Sequence, residues 1–186
     1  MKYLLLIAAI IFGLSTTAHA QNTLIYLGGG QEKMHSPRSV TSSMAEAGVL
    51  HRFDSGVTVG ALTQNIYPDQ NIPALNLTAI LAGYSTRINQ FSPYVLAGAG
   101  NRSTNGTNAN YYQISVGTKY AFNEKWFADV QYRYRNSDEI SGFRTNRYLV
   151  GGGYNFTKNI SGVLNYGSVS GDVRTNQLFG AAVYRF

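Results

Sequence analysis

The chain has no cysteine, only four prolines and a single tryptophan. Without cysteine there is no disulfide staple and no thiolate metal site. Charged residues make up 13% of the chain, about half the share usual in soluble globular domains. Histidine occurs three times, a thin supply of general bases and metal ligands. Beyond residue 14 no window holds roughly 18 uninterrupted apolar residues, the minimum for a membrane-spanning helix. These absences exclude a disulfide scaffold, a thiolate zinc module and a bundle of spanning helices.

What is present is tyrosine, phenylalanine and glycine: fourteen, nine and twenty residues in a chain of 186. The N-terminus has its own character. Lys2 supplies a short positive region, and residues 3–14 form an apolar core. That core suits a secretory signal and is too short to span a bilayer as a helix. Ala18, His19 and Ala20 form a small-x-small cleavage site. The pattern predicts a signal peptide over residues 1–20, cleaved to leave a single domain over 21–186. No cysteine follows the apolar core, so a lipid anchor is not expected.

After the signal, polar turn signals recur at near-even intervals: around Asp54, Asn89, Asn123 and Thr157. Longer polar connections alternate with them, over 34–41, 67–73, 102–110, 136–143 and 170–172. Between them the residues alternate with period two, as strands do. Trp126, Ala128, Val130, Tyr132 and Tyr134 share one face; Phe127, Asp129, Gln131, Arg133 and Arg135 share the other. The same pattern holds for Tyr112, Ile114, Val116, Thr118, Tyr120 and Phe122, and for Tyr148, Val150, Gly152, Tyr154 and Phe156. The chain closes on Leu178, Gly180, Ala182, Tyr184 and Phe186, interleaved with Gln177, Phe179, Ala181, Val183 and Arg185. This predicts ten strands, at 23–33, 42–53, 56–66, 74–88, 93–103, 110–122, 126–137, 144–156, 160–170 and 173–186. Eight is the alternative, if the Gly28, Gly29, Gly30 segment or the weakly alternating 160–170 does not span. Tyr67, Phe91, Tyr94, Tyr120, Phe122, Trp126, Phe127, Tyr134, Phe143, Tyr154, Phe156, Tyr184 and Phe186 fall near strand ends, which predicts two aromatic girdles.

Taken together, the export signal, the alternating strands and the terminal Tyr184, Arg185 and Phe186 resemble the small outer-membrane β-barrel superfamily of Gram-negative bacteria. That broad group holds the OmpA transmembrane domain, OmpX/Ail-like proteins and opacity-type porins. The resemblance extends over the whole of 21–186, including Glu46, Ala47, Gly48 and Val49, and Ser92 through Gly100. It implies an all-β, closed antiparallel transmembrane barrel, integral in the outer membrane. It also implies that the barrel-assembly machinery reads the last strand through Tyr184 and Phe186. Closure leaves no strand edge exposed to hydrocarbon, so a monomer is expected.

With the apolar face toward lipid, Glu46, Arg52, Lys119, Asp129, Arg133, Arg135, Arg147 and Arg185 point into the lumen. They are expected to form a charge network in which Glu46 and Asp129 neutralise arginines; the remaining inner positions read as small or polar. A cation-lined constriction favouring anions is the functional version of the same set. Outer-loop Lys33, Arg38, Arg102, Arg144 and Arg174 suit lipopolysaccharide phosphates. The basic residues are dispersed, so the net charge of +6 does not point to nucleic acid. No cofactor is called for. Asp138 and Glu139 make a loose acidic pair and no metal site. Met34, His35 and Ser36 suggest a His/Ser pair, but no orienting acid can be assembled around them. The expected role is a non-catalytic barrel with a structural or surface-interaction function. A narrow, weakly anion-preferring porin is the alternative, and a lipid A-modifying enzyme the second alternative.

Overall fold

The computed structural model describes residues 22–35, 39–69, 72–139, 143–172 and 174–186. The expected signal peptide, Ser36 and Arg38 lie outside these residues. Ten strands follow one another: β1 (Thr23–Met34), β2 (Val40–Arg52), β3 (Val57–Pro68), β4 (Leu75–Ser85), β5 (Phe91–Thr104), β6 (Thr107–Ala121), β7 (Trp126–Asn136), β8 (Thr145–Asn155), β9 (Ile160–Gly171) and β10 (Thr175–Arg185). Each pairs antiparallel with its sequence neighbours. β1 and β10 also pair, from Leu24↔Arg185 to Met34↔Thr175, which closes the barrel. The eight-strand alternative is thereby set aside: β1 and β9 both carry full ladders on either side.

Four tight turns sit at one end, with Asn22 and Phe186. Gly56, at φ 89°, takes a left-handed conformation that disfavours any side chain, and its N–H donates to Phe53 O at 2.8 Å. Asn89 (φ 55°) makes the next turn, with Ile88 and Phe91 bonding each other on both sides. Asn123 Oδ1 accepts from the N–H groups of Lys125 and Trp126 at 2.9 and 2.8 Å. Thr157 Oγ1 does the same for Asn159 and Ile160. These short polar side chains satisfy the turn backbone locally, which is why they mark turns.

One expected connection is corrected. The stretch 102–110 is not a long loop: β5 and β6 run on to a two-residue turn, with Thr104 paired to Thr107. Asn105 (φ 46°) and Gly106 (φ 78°) both take positive φ, the hairpin geometry that matches strand twist.

Outer positions are apolar and exposed, among them Ile80 (75%), Leu27 (67%) and Leu164 (60%). Inner positions are buried. The glycine run lies within β1, not at a loop that would cradle phosphate. Its inner members meet the neighbouring strand closely. A Cβ on Gly30 would collide with Leu178 O and come within 2.9 Å of Phe179 Cα. We expect Gly30→Ala to destabilise the barrel by about 1–3 kcal/mol through overpacking. Gly180→Ala, whose Cβ meets nothing nearer than 3.7 Å, should be tolerated. Urea unfolding of both variants in lipid vesicles checks the contrast.

Candidate functional site

The lumen has two unlike walls. On β3–β6 an apolar patch lies among the inner polar residues: Leu62, Leu77, Ala79, Leu81, Leu96 and Tyr111 form one buried cluster with Phe143. This corrects the expectation of an inner face that is small, polar or charged. On the opposite side β7, β8, β10 and β2 carry Arg133, Arg135, Arg147, Arg185, Arg52 and Glu46. Three expected girdle aromatics also turn inward. Phe127 and Phe143 are buried, and Tyr94 lines the lumen. Phe91, Phe122, Trp126, Phe156, Tyr184 and Phe186 stay on the outer face at the turn end, where edge-to-face pairs such as Trp126–Tyr154 (4.7 Å) form one belt. Tyr184 and Phe186 form another such pair, with centroids 4.8 Å apart.

Above mid-barrel, on the loop side, side chains bridge the lumen. Arg135 on β7 donates from Nε to Gln113 Oε1 and from Nη1 to Gln64 Oε1, each at 3.0 Å. Gln64 on β3 donates in turn to Met44 Sδ on β2. β3 and β7 are four strands apart around the wall, so this chain crosses the interior. Arg135 lies over the Tyr111 ring (5.6 Å), Tyr111 packs edge-on against Phe143 (5.5 Å), and Arg102 covers Phe143 (5.0 Å). Arg102 thus turns into the lumen rather than outward to lipopolysaccharide. Lower down, Arg147 on β8 and Glu46 on β2 also reach across, 3.7 Å apart, and Tyr26 donates to Glu46 at 3.1 Å.

Below this bridge lies a cavity of about 530 Å³, opening toward the turn end. Seven of the eight expected lumenal charges line it: Glu46, Arg52, Lys119, Asp129, Arg133, Arg147 and Arg185. Arg135 is held apart in the bridge. Asp129 faces Lys119 in register and not an arginine. With its amide turned to satisfy its neighbours, Asn165 donates to Asp129 at 2.9 Å. Arg185 donates to Ser161 at 2.6 Å, and Lys119 sits 3.4 Å over the Phe127 ring. Arg87, in a turn and absent from the expected set, adds a sixth cation to the cavity. Its place at the mouth follows from the β4–β5 turn, a signal visible only once that strand's end is fixed.

The two histidines among the described residues sit at opposite ends. His35 meets Asn176 at the loop end (3.0 Å), and His51 meets Thr23 at the turn end (2.7 Å). Glu139 does not pair with Asp138 toward a metal. It accepts from the Asn110 N–H at 2.6 Å and from its side-chain amide at 2.8 Å. These two bonds hold its carboxyl below the usual carboxylate range.

A closed ten-strand barrel with an apolar outer wall is a transmembrane barrel, and this one has the fold of the small outer-membrane β-barrel superfamily. The profile of a family described as "Protein of unknown function, DUF481" matches residues 82–176, more than half of the chain, and the chain belongs to that family. The matched stretch holds Lys119, Asp129, Arg133, Arg135 and Arg147, but not Glu46 or Arg52. No curated protein matches in sequence. Among solved structures, the COG4313 outer membrane channel from Pseudomonas putida F1 is similar at 11% identity and a TM-score of 0.58, over 92% of this chain and 98% of that one. The KdgM porin, solved in complex with disordered oligogalacturonate, is similar at 12% and 0.51, over 88% and 99%. The N-terminal β-barrel domain of Pseudomonas aeruginosa OprF gives 15% and 0.50, over 90% and 100%. At these identities the likeness is one of fold.

Proposed function

We propose that the protein is an integral barrel of the bacterial outer membrane with a structural and binding role, closed to ions and without catalysis. The observation that carries this reading is the bridge from Met44 through Gln64 to Arg135 and Gln113, which joins opposite walls by side-chain hydrogen bonds. At the level of this bridge a ten-strand lumen has little room beyond the side chains that cross it. Among the described residues neither histidine meets a carboxylate, His35 bonding Asn176 and His51 bonding Thr23, which supports a role without catalysis because a triad's base needs an orienting acid. The exposed Lys33, Arg144 and Arg174 remain at the loop end, where lipopolysaccharide phosphates would lie. The terminal Tyr184 and Phe186 pair fits the role of an assembly signal.

A narrow anion-preferring pore is the second reading, favoured by the cavity's six cations against two carboxylates. Planar-bilayer recording separates the two. Wild-type protein should give a silent bilayer, and Gln64→Ala combined with Arg135→Ala should give small conductance steps. Reproducible, anion-selective steps from the wild type would replace the closed-barrel reading with the pore.

A further inference from the structure

At the blind end of the cavity, charges are arranged against their own interest. Arg133 and Arg147 lie directly opposite each other on β7 and β8, a cross-strand position where like charges repel. Two buried carboxylates lie on this side of the lumen: Glu46 is in ion-pair reach of Arg147, and Glu32 on β1 is engaged instead by Gln177 at 2.8 Å, so among the described residues Arg133 has no carboxylate in ion-pair reach. Arg133 is 5% exposed and has a buried Nε with no hydrogen-bond partner among the described residues. Arg147 Nε, Arg52 Nε and Gln113 Nε2 are in the same condition, and all four residues line this cavity. Buried donors left without acceptors are costly. Facing them is the leucine wall of Leu62, Leu81 and Leu96. The space therefore offers donors and positive charge on one side and hydrocarbon on the other. Its volume is that of a small-molecule site.

We propose that this cavity is a binding site for a single-chain amphipathic anion, with its charged head on Arg133 and Arg147 and its apolar tail along Leu62, Leu81 and Leu96. An acyl carboxylate and an alkyl phosphate share this chemistry. The ligand enters from the turn end, the periplasmic side in barrels of this type. Arg52, Arg87, Lys119 and Arg185 give that side of the lumen a cationic lining, which attracts anions before contact. The site rests on the lumen being closed above it.

Equilibrium dialysis of radiolabelled octanoate tests it, with the protein in phosphatidylcholine nanodiscs and empty discs as the blank. The expected result is saturable binding of one octanoate per protein. Affinity should rise roughly fourfold per methylene from butyrate to octanoate, the factor for burying one CH₂. Arg133→Gln should weaken binding at least tenfold. Octyl phosphate should displace octanoate, whereas octyl glucoside and glucuronate should not. Tighter binding of octyl phosphate assigns the site to a lipid-type phosphate head, and tighter binding of octanoate to a free carboxylate. Val183→Trp, which narrows the lumen without touching a charge, should also abolish binding and carries the test if Arg133→Gln does not fold. Absence of saturable binding, an affinity flat with chain length, or undiminished binding in the folded variants overturns the proposal. Failure here is distinct from failure of the closed-barrel reading. Conductance steps alongside Arg133-dependent octanoate binding remove the closure alone. A silent bilayer without octanoate binding removes the site alone.

Discussion

Glu46→Gln is expected to destabilise the barrel by about 3–5 kcal/mol, the cost of removing one partner from a buried ion pair. The side chain keeps its size and can still meet Tyr26, so the change isolates the charge. Glu46 is the carboxylate in ion-pair reach of Arg147, and Arg133 stands opposite Arg147. Neutralising it leaves two buried guanidinium groups facing each other with no carboxylate in ion-pair reach among the described residues, since Glu32 on β1 is engaged by Gln177. The variant's midpoint in urea or guanidinium, followed through the emission of Trp126 in lipid vesicles, gives the loss directly; Trp126 lies on the outer wall and reports the bilayer. A second substitution sharpens the argument. Adding Arg147→Met to Glu46→Gln should recover much of the loss, because an apolar replacement of similar volume carries no desolvation penalty. A loss below about 1 kcal/mol in the single variant would mean that water or ions already screen the pair.

The network behind this expectation was only half legible in the sequence. That Arg133 and Arg147 face inward follows from period-two alternation in β7 and β8; in β2, where Val40, Met44 and Leu50 share the face of Glu46, only the cost of a charge in lipid sets the phase. Which of them meet does not follow. Glu46 and Arg147 are four strands apart around the wall and share a level only because the closed barrel is sheared. The pattern predicts Asp129 beside arginines, and it stands instead beside Lys119 and Asn165. Arg135 shares the face of the other charges, yet it bonds Gln64 and Gln113 instead of a carboxylate.

The leucine wall was missed for a related reason. In β4 the residues Leu75, Leu77, Ala79 and Leu81 alternate with Asn76, Thr78, Ile80 and Ala82. The face of Leu75, Leu77, Ala79 and Leu81 is the more apolar of the two, so alternation alone would turn it to lipid, whereas the structure turns it inward. Phe127 shares the face of Asp129 and Arg133, so alternation itself turns it inward and only its nearness to the strand end suggests a girdle; Phe143 precedes β8, where alternation gives no phase. The ten strands themselves were legible to within a few residues. Turn chemistry bounds them, and the one clear length error came from reading Asn105 and Gly106 as loop rather than as a two-residue turn.

Ile80→Arg is expected to cost about 2–4 kcal/mol, the penalty for a guanidinium on the lipid face near the bilayer midplane. Ile80 is mid-strand in β4 and the most exposed of the large apolar residues. In water that exposure would be a liability, and arginine there would relieve it. In hydrocarbon the reverse holds, because the charge must drag water inward or bend toward the headgroups. The sign of the effect therefore reports which solvent the outer wall faces. Ser115→Ala, a change on the inner face of β6, serves as the control and should cost less than about 1 kcal/mol, since it removes a hydroxyl without placing charge in lipid. Unfolding of both variants in vesicles of matched thickness gives the two numbers. A neutral or stabilising Ile80→Arg would make the outer wall a water-facing or protein-covered surface. The arginines inside would then need another explanation for being there, since burial away from lipid would no longer account for it.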